Sequence, residues 1–435
     1  MINKLKRFFY FPFAYYFRFF AKIRLARWNP YIIVVTGSSG KTTLLHLLES
    51  QIGEKAKYTH KGNSAYGIPF DILNLKRNTL EPIEWIFLFF LTPFKILSKI
   101  PSQKIYVVEA DCDRPNEGKF LATLLKPEVT LWTSSTRTHS MNFDPLVKNS
   151  KFETVEEAIA FEFGYFLEYS RKLCIVNGDS NLIEKQFGRT KSHIEKVSVK
   201  TLGDYEVLRD KTIFKIGQET YEFNHLLPRK FFYAIAMSNV LFKKLNIKPD
   251  PTFKNFSLPP GRNSIFKGLK NTTIIDSSYN ANLDSMTVIL EMFDNITAEK
   301  KWIIAGDMLE QGESQRQEHE KLAEVISKIK SDKIILMGPR VSEYTLPKLK
   351  TQSFDFAQDK NSKLKSEDQN IISFENPKEV LEYLKSNLKG GELLLFKGAR
   401  FLEGVIEHLL LDKKDIEKLP RREKVWQKRR RKFGL

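Results

Sequence analysis

The chain has 435 residues, which is long enough for two or three domains with sizeable cores. Its composition is that of a globular protein, with 42% hydrophobic and 28% charged residues, but it carries a formal net charge of +18. Residues 1–29 hold seven Lys/Arg and no acid, and residues 413–435 hold eleven Lys/Arg against three acids, which leaves +3 for everything between. Because the excess charge lies at the two ends, the body need not be a nucleic-acid-binding surface, and we expect no nucleic-acid partner.

Cysteine usage and the N-terminal sequence indicate the compartment. Cys112 and Cys174 are the two cysteines, too few in this length for a disulfide framework or a cysteine-rich zinc site. The N-terminal apolar run has no small-residue cleavage site, so a cleaved signal peptide is not expected. These features predict a reducing, cytoplasmic location.

The first predicted element, residues 1–29, interleaves cations with aromatic side chains, and its apolar run is too short to span a bilayer. This composition suits the headgroup zone of an anionic membrane, which predicts peripheral contact at the inner face. An ordinary helix packed on the body, with its cations solvated, explains the pattern equally well. A second apolar run, from Trp85 to Phe94, is either a buried helix or a second interfacial patch.

The next elements form a strand, a glycine-rich loop and a helix. An apolar, β-branched run from Tyr31 to Val35 precedes the loop, and Leu44 to Leu48 continue as a helix. The loop itself reads Gly37, Ser38, Ser39, Gly40, Lys41, Thr42 and Thr43. This context is that of a phosphate-binding loop, although GxxGKTT is shorter than the standard spacing. We expect ATP to bind here, with Lys41 over the β- and γ-phosphates and the Thr42 hydroxyl on Mg²⁺; a chance glycine-rich turn is the alternative.

Strand-like and helix-like segments then alternate as far as residue 177. Residues 105–109 form a strand that ends in Glu109, and residues 129–133 form another that ends shortly before His139. A helical period over 154–170 and a strand at 173–177 follow. The alternation predicts a doubly wound parallel sheet of the P-loop ATPase type, with domain bounds of 30–250. Within these bounds, 204–225 read as short antiparallel strands and 229–245 as a helix.

A proline-rich stretch over 248–261 reads as a linker to a second domain at 258–412. Four strands are predicted in this domain, at 273–276, 301–306, 333–338 and 392–396, with helices such as 284–293 and 318–329 between them. This pattern predicts a smaller, Rossmann-like α/β domain. The polar stretch 350–370 reads as a surface insertion, and 413–435 as a basic tail whose run of cations touches phospholipid or RNA or is simply solvated.

Several strings, in this chain order, carry a family resemblance. They are TGSSGKTT at 36–43, GNSAYGIP at 62–69, Glu109, Thr138-His139, Asn177-Gly178-Asp179, Gly261-Arg262, DSSYNAN at 276–282, GDMLEQGE at 306–313 and KGAR at 397–400. With them the chain resembles the ATP-dependent Mur ligases of peptidoglycan synthesis, most closely the branch that adds D-alanyl-D-alanine. The DSSYNAN and GDMLEQGE strings are specific to that branch, whereas a lone GxxGKTT is not.

The resemblance implies a reaction and assigns roles to residues. Such ligases transfer the γ-phosphoryl of ATP to a substrate carboxylate, and an amine then displaces phosphate to form an amide. The catalytic residues would be Lys41, Glu109 and His139, with Thr42, Glu109 and His139 as metal ligands. Tyr233, Arg262 and Asp276 would contact the nucleotide, and Asn63, Asn280, Asn282 and Lys397 would contact substrate.

Each role has a structural alternative. If Glu109 has no catalytic role, it is a solvated carboxylate at the end of a strand, and Asp111 and Asp113 nearby could take its place. If His139 has none, it is a hydrogen-bonded loop residue. Arg262 is otherwise a cation of the linker. For Asn280, Asn282 and Lys397 a role in shaping or capping a loop is as consistent with the sequence as an acceptor pocket.

The chain departs from the family pattern in four places. No room is left before Tyr31 for the family's UDP-sugar-binding domain, and the basic aromatic segment stands there instead. The position of the family's carbamylated, metal-bridging lysine aligns with Phe163, and Glu162 beside it would face about a hundred degrees away on a helix. Tyr233 lies where the family uses an asparagine against adenine, and Ala399 replaces a serine.

Three hypotheses follow. The first is an ATP- and Mg²⁺-dependent peptide ligase that adds D-alanyl-D-alanine to a UDP-muramoyl peptide, with a small-molecule precursor and an amino acid or dipeptide as partners. The second is the same chemistry, as ligation or amidation, on a lipid-linked muropeptide. The third is a non-catalytic ATP-binding protein in which Phe163 marks lost catalysis.

Overall fold

A computed structural model describes residues 9–60, 62–77, 82–357, 370–399 and 401–435. The described residues divide into two compact units. Unit 1 lies within Met1–Thr201 and Phe232–Phe256, and unit 2 consists of Leu202–Phe231 and Ser257–Leu435. The change of unit at residue 257 falls inside the predicted linker. Residues 1–8, most of the insertion at 350–370 and Arg400 lie outside the described residues.

Unit 1 is built on one six-stranded sheet in the order β2-β3-β1-β4-β5-β6, with every neighbouring pair parallel. Its strands are β1 (Tyr31–Thr36), β2 (Ala56–Tyr58), β3 (Ile105–Ala110), β4 (Val129–Trp132), β5 (Leu173–Asn177) and β6 (His193–Val197). Its helices are α1 (Tyr10–Trp28), α2 (Lys41–Ile52), α3 (Gly67–Leu73), α4 (Pro82–Lys95), α5 (Glu117–Leu125), α6 (Asp144–Lys148), α7 (Val155–Glu168), α8 (Asn181–Glu184) and α9 (Phe232–Lys244). The doubly wound parallel sheet predicted from the alternation is confirmed.

The centre of this sheet determines where a ligand can bind. Strands β1, β3 and β4 are nearly continuous apolar runs that are buried apart from the half-buried first residues of β1 and β3, as in parallel sheets covered on both faces. Thr36, the last residue of β1, lies in register with Ala110 on β3 and Trp132 on β4. The three loops that follow these strands therefore leave the sheet at the same edge, beside the point where the strand order reverses.

The basic aromatic segment forms α1, and its buried face joins the core of unit 1 through Phe17, Leu25 and Trp28. The second apolar run forms α4, whose Leu88 and Thr92 are buried while Phe87, Phe90 and other large side chains are exposed. Each run therefore combines a packed face with an exposed one. Among the described residues, none of the helices combines the length and the apolar character needed to cross a bilayer.

Unit 2 contains two sheets. The six-stranded sheet has the order β10-β11-β15-β12-β13-β14, with β10 antiparallel to β11 and the other pairs parallel. Its strands are β10 (Ser264–Lys267), β11 (Thr273–Ser277), β12 (Lys301–Gly306), β13 (Lys333–Met337), β14 (Ile371–Phe374) and β15 (Leu393–Lys397). Its helices are α10 (Leu283–Asn295), α11 (Gln315–Ile326), α12 (Leu346–Ala357), α13 (Pro377–Asn387), α14 (Leu402–Leu409) and α15 (Lys424–Arg431). The four predicted strands are present, and β10 and β14 are additions to them.

The second sheet of unit 2 is a three-stranded antiparallel meander of β7 (Leu202–Val207), β8 (Thr212–Ile216) and β9 (Glu219–Phe223). These strands match the short antiparallel strands expected at 204–225. They group with unit 2, although they lie within the 30–250 bounds drawn from the sequence. The grouping has a physical basis, since Val207 and Leu226 belong to the same apolar core as Ile275 and Phe293.

The basic tail is folded. Arg430 in α15 is only 4% exposed; its guanidinium lies 3.6 Å from Glu403 and 3.8 Å from Glu407, and donates to the carbonyl of Arg421. The interpretation of 413–435 as a merely solvated end is therefore wrong for this part of the tail. Its cations are used partly to neutralise carboxylates of α14.

Candidate active site

The loop between β1 and α2 has the backbone of a phosphate-binding loop. Gly37 and Gly40 have φ values of +128° and +81°, which L side chains rarely adopt. A Cβ on Gly37 would lie 2.5 Å from Thr133 Oγ1, so glycine is also required there by space. Because α2 begins at Lys41, the amides of its first turn point out of the helix end toward any bound anion.

A second loop, which follows β4, holds the first in place. Ser134 accepts from the backbone of Ser38 through its carbonyl (3.0 Å) and from that of Ser39 through its hydroxyl (2.9 Å). Thr133 donates to the carbonyl of Ser39 at 2.6 Å. Thr133 and Ser134 were not predicted from the sequence as site residues. The parallel pairing of β1 with β4 is the signal that could have identified them, because it places the ends of these two strands side by side.

Lys41 is 6% exposed and is held by two acceptors. Its ammonium donates to the carbonyl of Gly37 at 2.6 Å and lies 2.8 Å from Asp111 Oδ2. Burial alone lowers the pKa of Lys41, but the carboxylates of Asp111 and Glu109 outweigh it and raise the pKa above its usual value. The side chain is therefore a permanent cation at the mouth of the loop.

Glu109, the penultimate residue of β3, meets the first turn of α2. Thr42 donates its hydroxyl to Glu109 Oε1 at 3.0 Å, and the amide of Asn63 lies 3.5 Å from both Glu109 and Asp111. Glu109 is buried, and its backbone N–H donates to Thr59 at 2.8 Å. The alternative of a solvated strand-end carboxylate is thus excluded by its burial. The structure brings Thr42, Glu109 and Asn63 together.

His139 meets carboxylates too, but Glu109 is not the nearest of them. Its Nε2 lies 3.2 Å from Asp113, and ligand atoms of Asp111, Asp113 and His139 all lie within 4.8 Å of one another. Burial raises the pKa of Asp113, with Asp111 adding to the effect and His139 opposing it. The two aspartates, noted from the sequence only as substitutes, are grouped with His139 here.

Phe163 and Glu162 on α7 have structural surroundings. Phe163 is fully buried, with its ring centroid 6.1 Å from that of Trp132. The Glu162 carboxylate accepts from the backbone amides of Asn116 at 2.8 Å and Gly118 at 3.0 Å, at the start of α5. Glu162 is thereby committed to a helix terminus, and it does not join the carboxylates around Lys41.

Tyr233, at the start of α9, is the predicted adenine contact of unit 1. Its hydroxyl donates to Asp179 Oδ2 at 2.7 Å, and Asp179 also accepts from Ser198 and from the backbone of Val199. Burial would raise the pKa of Asp179, but these hydrogen bonds lower it below its usual value. The ring of Tyr233 is thus anchored by its hydroxyl to the Asn177-Gly178-Asp179 motif.

The predicted residues of unit 2 gather where β11 and β15 end. Asp276 is fully buried and its pKa is raised to about 6 by burial. On β15, Lys397 donates to the carbonyl of Asn280 at 2.5 Å. Burial lowers the pKa of Lys397 to about 7, Arg262 adds to this effect, and Asp276 opposes it. The Arg262 guanidinium lies 4.7 Å from the centre of the Tyr279 ring.

The two asparagines of DSSYNAN have local roles. Asn282 caps α10, since its side chain accepts from the backbone of Ser285 at 2.9 Å and the hydroxyl of Ser285 accepts from the backbone of Asn282. Asn280 accepts from the backbone of Ala281 at 2.8 Å. These contacts favour the capping alternative for Asn282, while Asn280 also supplies the carbonyl that holds Lys397.

The unit 1 site can neutralise phosphate oxygens with one fixed cation and a helix terminus, and it presents hard oxygen ligands a few ångströms away. A divalent cation such as Mg²⁺ fits the donor set of Thr42, Glu109, Asp111 and Asp113, which consists of oxygens alone. His139 extends this set with one imidazole. The arrangement is that of a site for a metal–nucleotide complex.

Comparisons with known proteins point in the same direction. Residues 261–400 match the family model of the Mur ligase glutamate ligase domain. The chain is 24% identical over 406 residues to the UDP-N-acetylmuramoyl-tripeptide–D-alanyl-D-alanine ligase of Bacillus subtilis, covering 90% of this chain and 78% of that protein. It is 26% identical over 326 residues to the ligase of the same name from Borreliella burgdorferi, covering 70% and 62%.

Solved structures show the same fold. The MurF ligase from Thermotoga maritima in complex with ADP superposes with a TM-score of 0.70 at 21% identity, covering 93% of this chain and 84% of that one. The UDP-N-acetylmuramate-alanine ligase MurC of the same organism gives a TM-score of 0.57 at 13% identity. The predicted resemblance and the predicted fold class are confirmed.

Proposed function

We infer that this chain is a member of the Mur ligases and an ATP-dependent ligase that joins a carboxylate to an amine. The observation that carries the inference is the buried Lys41 ammonium at the start of α2, with Glu109, Asp111 and Asp113 grouped around it. Of the substrates known for its relatives, we propose UDP-N-acetylmuramoyl-tripeptide as the carboxylate donor and D-alanyl-D-alanine as the amine.

In the proposed reaction a carboxylate oxygen of the tripeptide attacks the γ-phosphorus of ATP. The bond to the β–γ bridging oxygen breaks, ADP leaves, and an acyl phosphate remains. The amine then attacks the acyl carbon, phosphate departs with one former carboxylate oxygen, and the new amide nitrogen loses a proton. Lys41 and the amides of α2 offset the repulsion between two anions, which is the main obstacle to the first step.

Mg²⁺, when bound, would withdraw charge from phosphate oxygens. Thr42 and Glu109 would hold it, because their oxygens already lie 3.0 Å apart at the loop. The trio of Asp111, Asp113 and His139 would hold a second cation near the acyl phosphate. With Phe163 at the position of the family's carbamylated lysine, we propose that Asp113 supplies the missing carboxylate.

The remaining roles stay part of the proposal. Tyr233 would present one ring face to adenine while Asp179 fixes its hydroxyl. Arg262 and Asp276 would contact the nucleotide, and Asn63, Asn280 and Lys397 would contact substrate. We retain Asn282 as a cap of α10.

The test is incubation of purified protein with ATP, Mg²⁺, UDP-N-acetylmuramoyl-tripeptide and D-alanyl-D-alanine. We expect phosphate release matched by a product with the mass of the adduct, and neither from Lys41→Ala. Wild-type protein that binds ATP but yields no phosphate with any muropeptide would contradict the proposal and favour a non-catalytic nucleotide-binding protein.

A lipid-linked muropeptide is the second candidate substrate, and the exposed aromatic side chains of α1 and α4 favour it. In either case we propose a cytoplasmic enzyme whose N-terminal segment makes peripheral contact with the inner face of the membrane. Turnover of the lipid-linked precursor in vesicles faster than turnover of the UDP form would support this substrate over the first.

A further inference from the structure

Large apolar side chains are exposed mainly on two helices of unit 1. Twelve of the nineteen exposed large hydrophobic residues in the described part lie on α1, on α4 or at their ends. We name them the aromatic face; they are Phe9, Phe13, Tyr15, Phe19, Ile23, Ile83, Ile86, Phe87, Phe90, Leu91, Phe94 and Leu97. Monomeric proteins rarely leave so many apolar side chains in water without a binding partner.

The exposed side chains of α4 follow helical spacing. Ile83, Phe87, Phe90, Phe94 and Leu97 recur every three or four residues and are 63% to 78% exposed. The opposite side of the helix, with Leu88 and Thr92, is buried. The outward stripe is therefore not surplus core, because the helix already has a packed side.

The two helices are firmly joined. The ring of Phe89 lies 5.3 Å from that of Phe13 and 4.9 Å from that of Tyr16, whose hydroxyl donates to the Phe89 carbonyl at 2.8 Å. Arg24 donates to carbonyls of Lys95 and Lys99 at the C-terminal end of α4. These hydrogen bonds tie α1 to the end of α4 and to the segment after it, so the aromatic face is a preformed surface.

The charge around the aromatic face is strongly positive. Residues 9–28 and 82–104 contain seven Lys/Arg and one acid, Glu84. Lys22 and Lys99 are exposed. With 14 residues, α4 is about 21 Å long, short of the roughly 30 Å of a bilayer core, so it would lie along a surface.

We propose that the aromatic face docks unit 1 on a bilayer rich in anionic lipid, with the phenylalanines of α4 among the acyl chains and the lysines at the headgroups. This deepens the peripheral contact in the proposed function by naming its surface and its lipid class. It does not depend on the ligase assignment.

The experiment is flotation of the full chain with vesicles of phosphatidylcholine, with and without phosphatidylglycerol. We expect binding to the anionic vesicles, weaker by about tenfold on pure phosphatidylcholine and reduced by salt. The variant Phe87→Ser/Phe90→Ser/Phe94→Ser should bind the anionic vesicles more weakly than wild type, by a factor of about a hundred or more. Leu411→Ser, at a side chain 59% exposed on unit 2, is the matched control and should bind like wild type.

Three results would overturn the proposal. The first is equal binding of the triple variant and the wild type to vesicles, and the second is no vesicle binding by folded wild type. The third is a wild-type dimer in sedimentation that is lost in the triple variant, with neither protein bound by vesicles. Lys41→Ala keeps the two proposals separate, since it should abolish ligation and leave flotation unchanged. Circular dichroism melting checks that the triple variant is folded.

A second cluster carries an independent inference. His46 and Glu49 on α2 and His60 after β2 each offer one ligand atom, and these atoms lie within 4.8 Å of one another. Glu49 has one carboxylate oxygen 3.0 Å from His60 Nε2 and the other 3.6 Å from His46 Nδ1. Ligands of tetrahedral zinc lie at similar separations, and two histidines with a glutamate are a known zinc set.

We infer that His46, Glu49 and His60 bind a zinc-like transition metal, distinct from the oxygen-lined site at Lys41. Imidazole ligands favour zinc over magnesium, so the two clusters differ in the ion they select. A metal here would join α2, which begins at Lys41, to the segment that leads to Asn63. Its effect would be to restrain the predicted substrate contact.

Titration of Zn²⁺ against a chromophoric chelator tests the site. We expect one equivalent to bind, with affinity about a hundredfold lower in Glu49→Gln and in His60→Ala. His193→Ala is the matched control, because His193 pairs with Glu195 at 2.9 Å but belongs to no three-ligand cluster among the described residues. Equal affinity in wild type and His60→Ala, or loss of binding in His139→Ala alone, would overturn the inference.

Discussion

Two buried lysines, one in each unit, have opposite electrostatics. Lys41 and Lys397 are 6% and 5% exposed, so both are deprived of water to a similar extent. The pKa of Lys41 lies above its usual value because the carboxylates of Asp111, Glu109 and Asp113 outweigh its burial, whereas burial lowers the pKa of Lys397 to about 7, with Arg262 adding to the effect. The difference shows that burial lowers the pKa of a lysine unless neighbouring carboxylates outweigh it.

The contrast separates the two regions by role. Lys41 is fixed in its charged form and suits a ligand that is always anionic, such as a triphosphate. Lys397 titrates near neutral pH, and its side chain donates to the carbonyl of Asn280. An anion that binds beside it would therefore change the fraction of Lys397 that is charged. Substitutions of Lys41 and Lys397 test this difference between a fixed and a titrating charge, and substitutions of Asp113 and Asn282 test other residues of the two units.

The largest effect is expected at Lys41. Lys41→Met should lower ligase turnover by about a thousandfold or more, because it removes the cation that offsets phosphate charge. It should also destabilise unit 1 by about 3 kcal/mol, since Asp111 is left buried without its partner. Phosphate release and urea denaturation measure the two effects.

The double variant Lys41→Met/Asp111→Asn separates folding from function. Removing both charges should recover most of the lost stability but none of the turnover. Recovery of turnover together with stability would mean that Lys41 acts only as a structural cation.

At the second cation site, Asp113→Asn should reduce turnover by about tenfold to a hundredfold while nucleotide binding persists. The reason is that Asp113 contacts His139, whereas the close partners of Lys41 are Gly37 and Asp111. Raising Mg²⁺ should rescue part of the loss. Glu195→Gln, on the exposed β6 strand, is the control and should have no effect on turnover.

Lys397 should contribute to the pH dependence of the free energy of unfolding. Its folded pKa of about 7 lies below its unfolded value of 10.5, so between these the unfolded chain binds more protons and stability rises with pH. The contribution is at most about 1.4 kcal/mol per pH unit. Between pH 7 and 9, Lys397→Met should flatten the slope measured by denaturation, and Lys41→Met should leave it unchanged.

The smallest effect is expected at Asn282. Loss of its cap in Asn282→Ala should destabilise unit 2 by about 1 kcal/mol, while Asn282→Asp, which still accepts from Ser285, should not. If both variants instead raise the KM for the amine substrate with stability unchanged, Asn282 belongs to the acceptor pocket.

The sequence predicted the parts of the site that depend on strand order. The family resemblance assigned Glu109 and Thr42 to one site, and in the structure the Thr42 hydroxyl lies 3.0 Å from Glu109, because β1 and β3 are parallel neighbours that end at one sheet edge. The pairing of Lys41 with Asp111 was not predicted, because the choice among three carboxylates within five residues depends on side-chain direction. Strand order also gave no indication that the β7–β9 meander shares a core with unit 2.

The exposed side of α4 was equally beyond reach. A run from Trp85 to Phe94 that is apolar all round has no periodicity from which to deduce its buried side. The buried Leu88 and exposed Phe87 are neighbours in sequence, and only packing against the core of unit 1 distinguishes them.

The most direct test of the central claim is an oxygen-tracing experiment. The muramoyl tripeptide carries ¹⁸O in its reacting carboxylate, and the phosphate released with ATP, Mg²⁺ and D-alanyl-D-alanine is analysed by mass spectrometry. We predict that each phosphate contains one ¹⁸O, because the carboxylate is phosphorylated before the amine attacks, and that Lys41→Met releases no labelled phosphate. Unlabelled phosphate from the wild-type protein would contradict the account, since it would show ATP hydrolysis without an acyl phosphate.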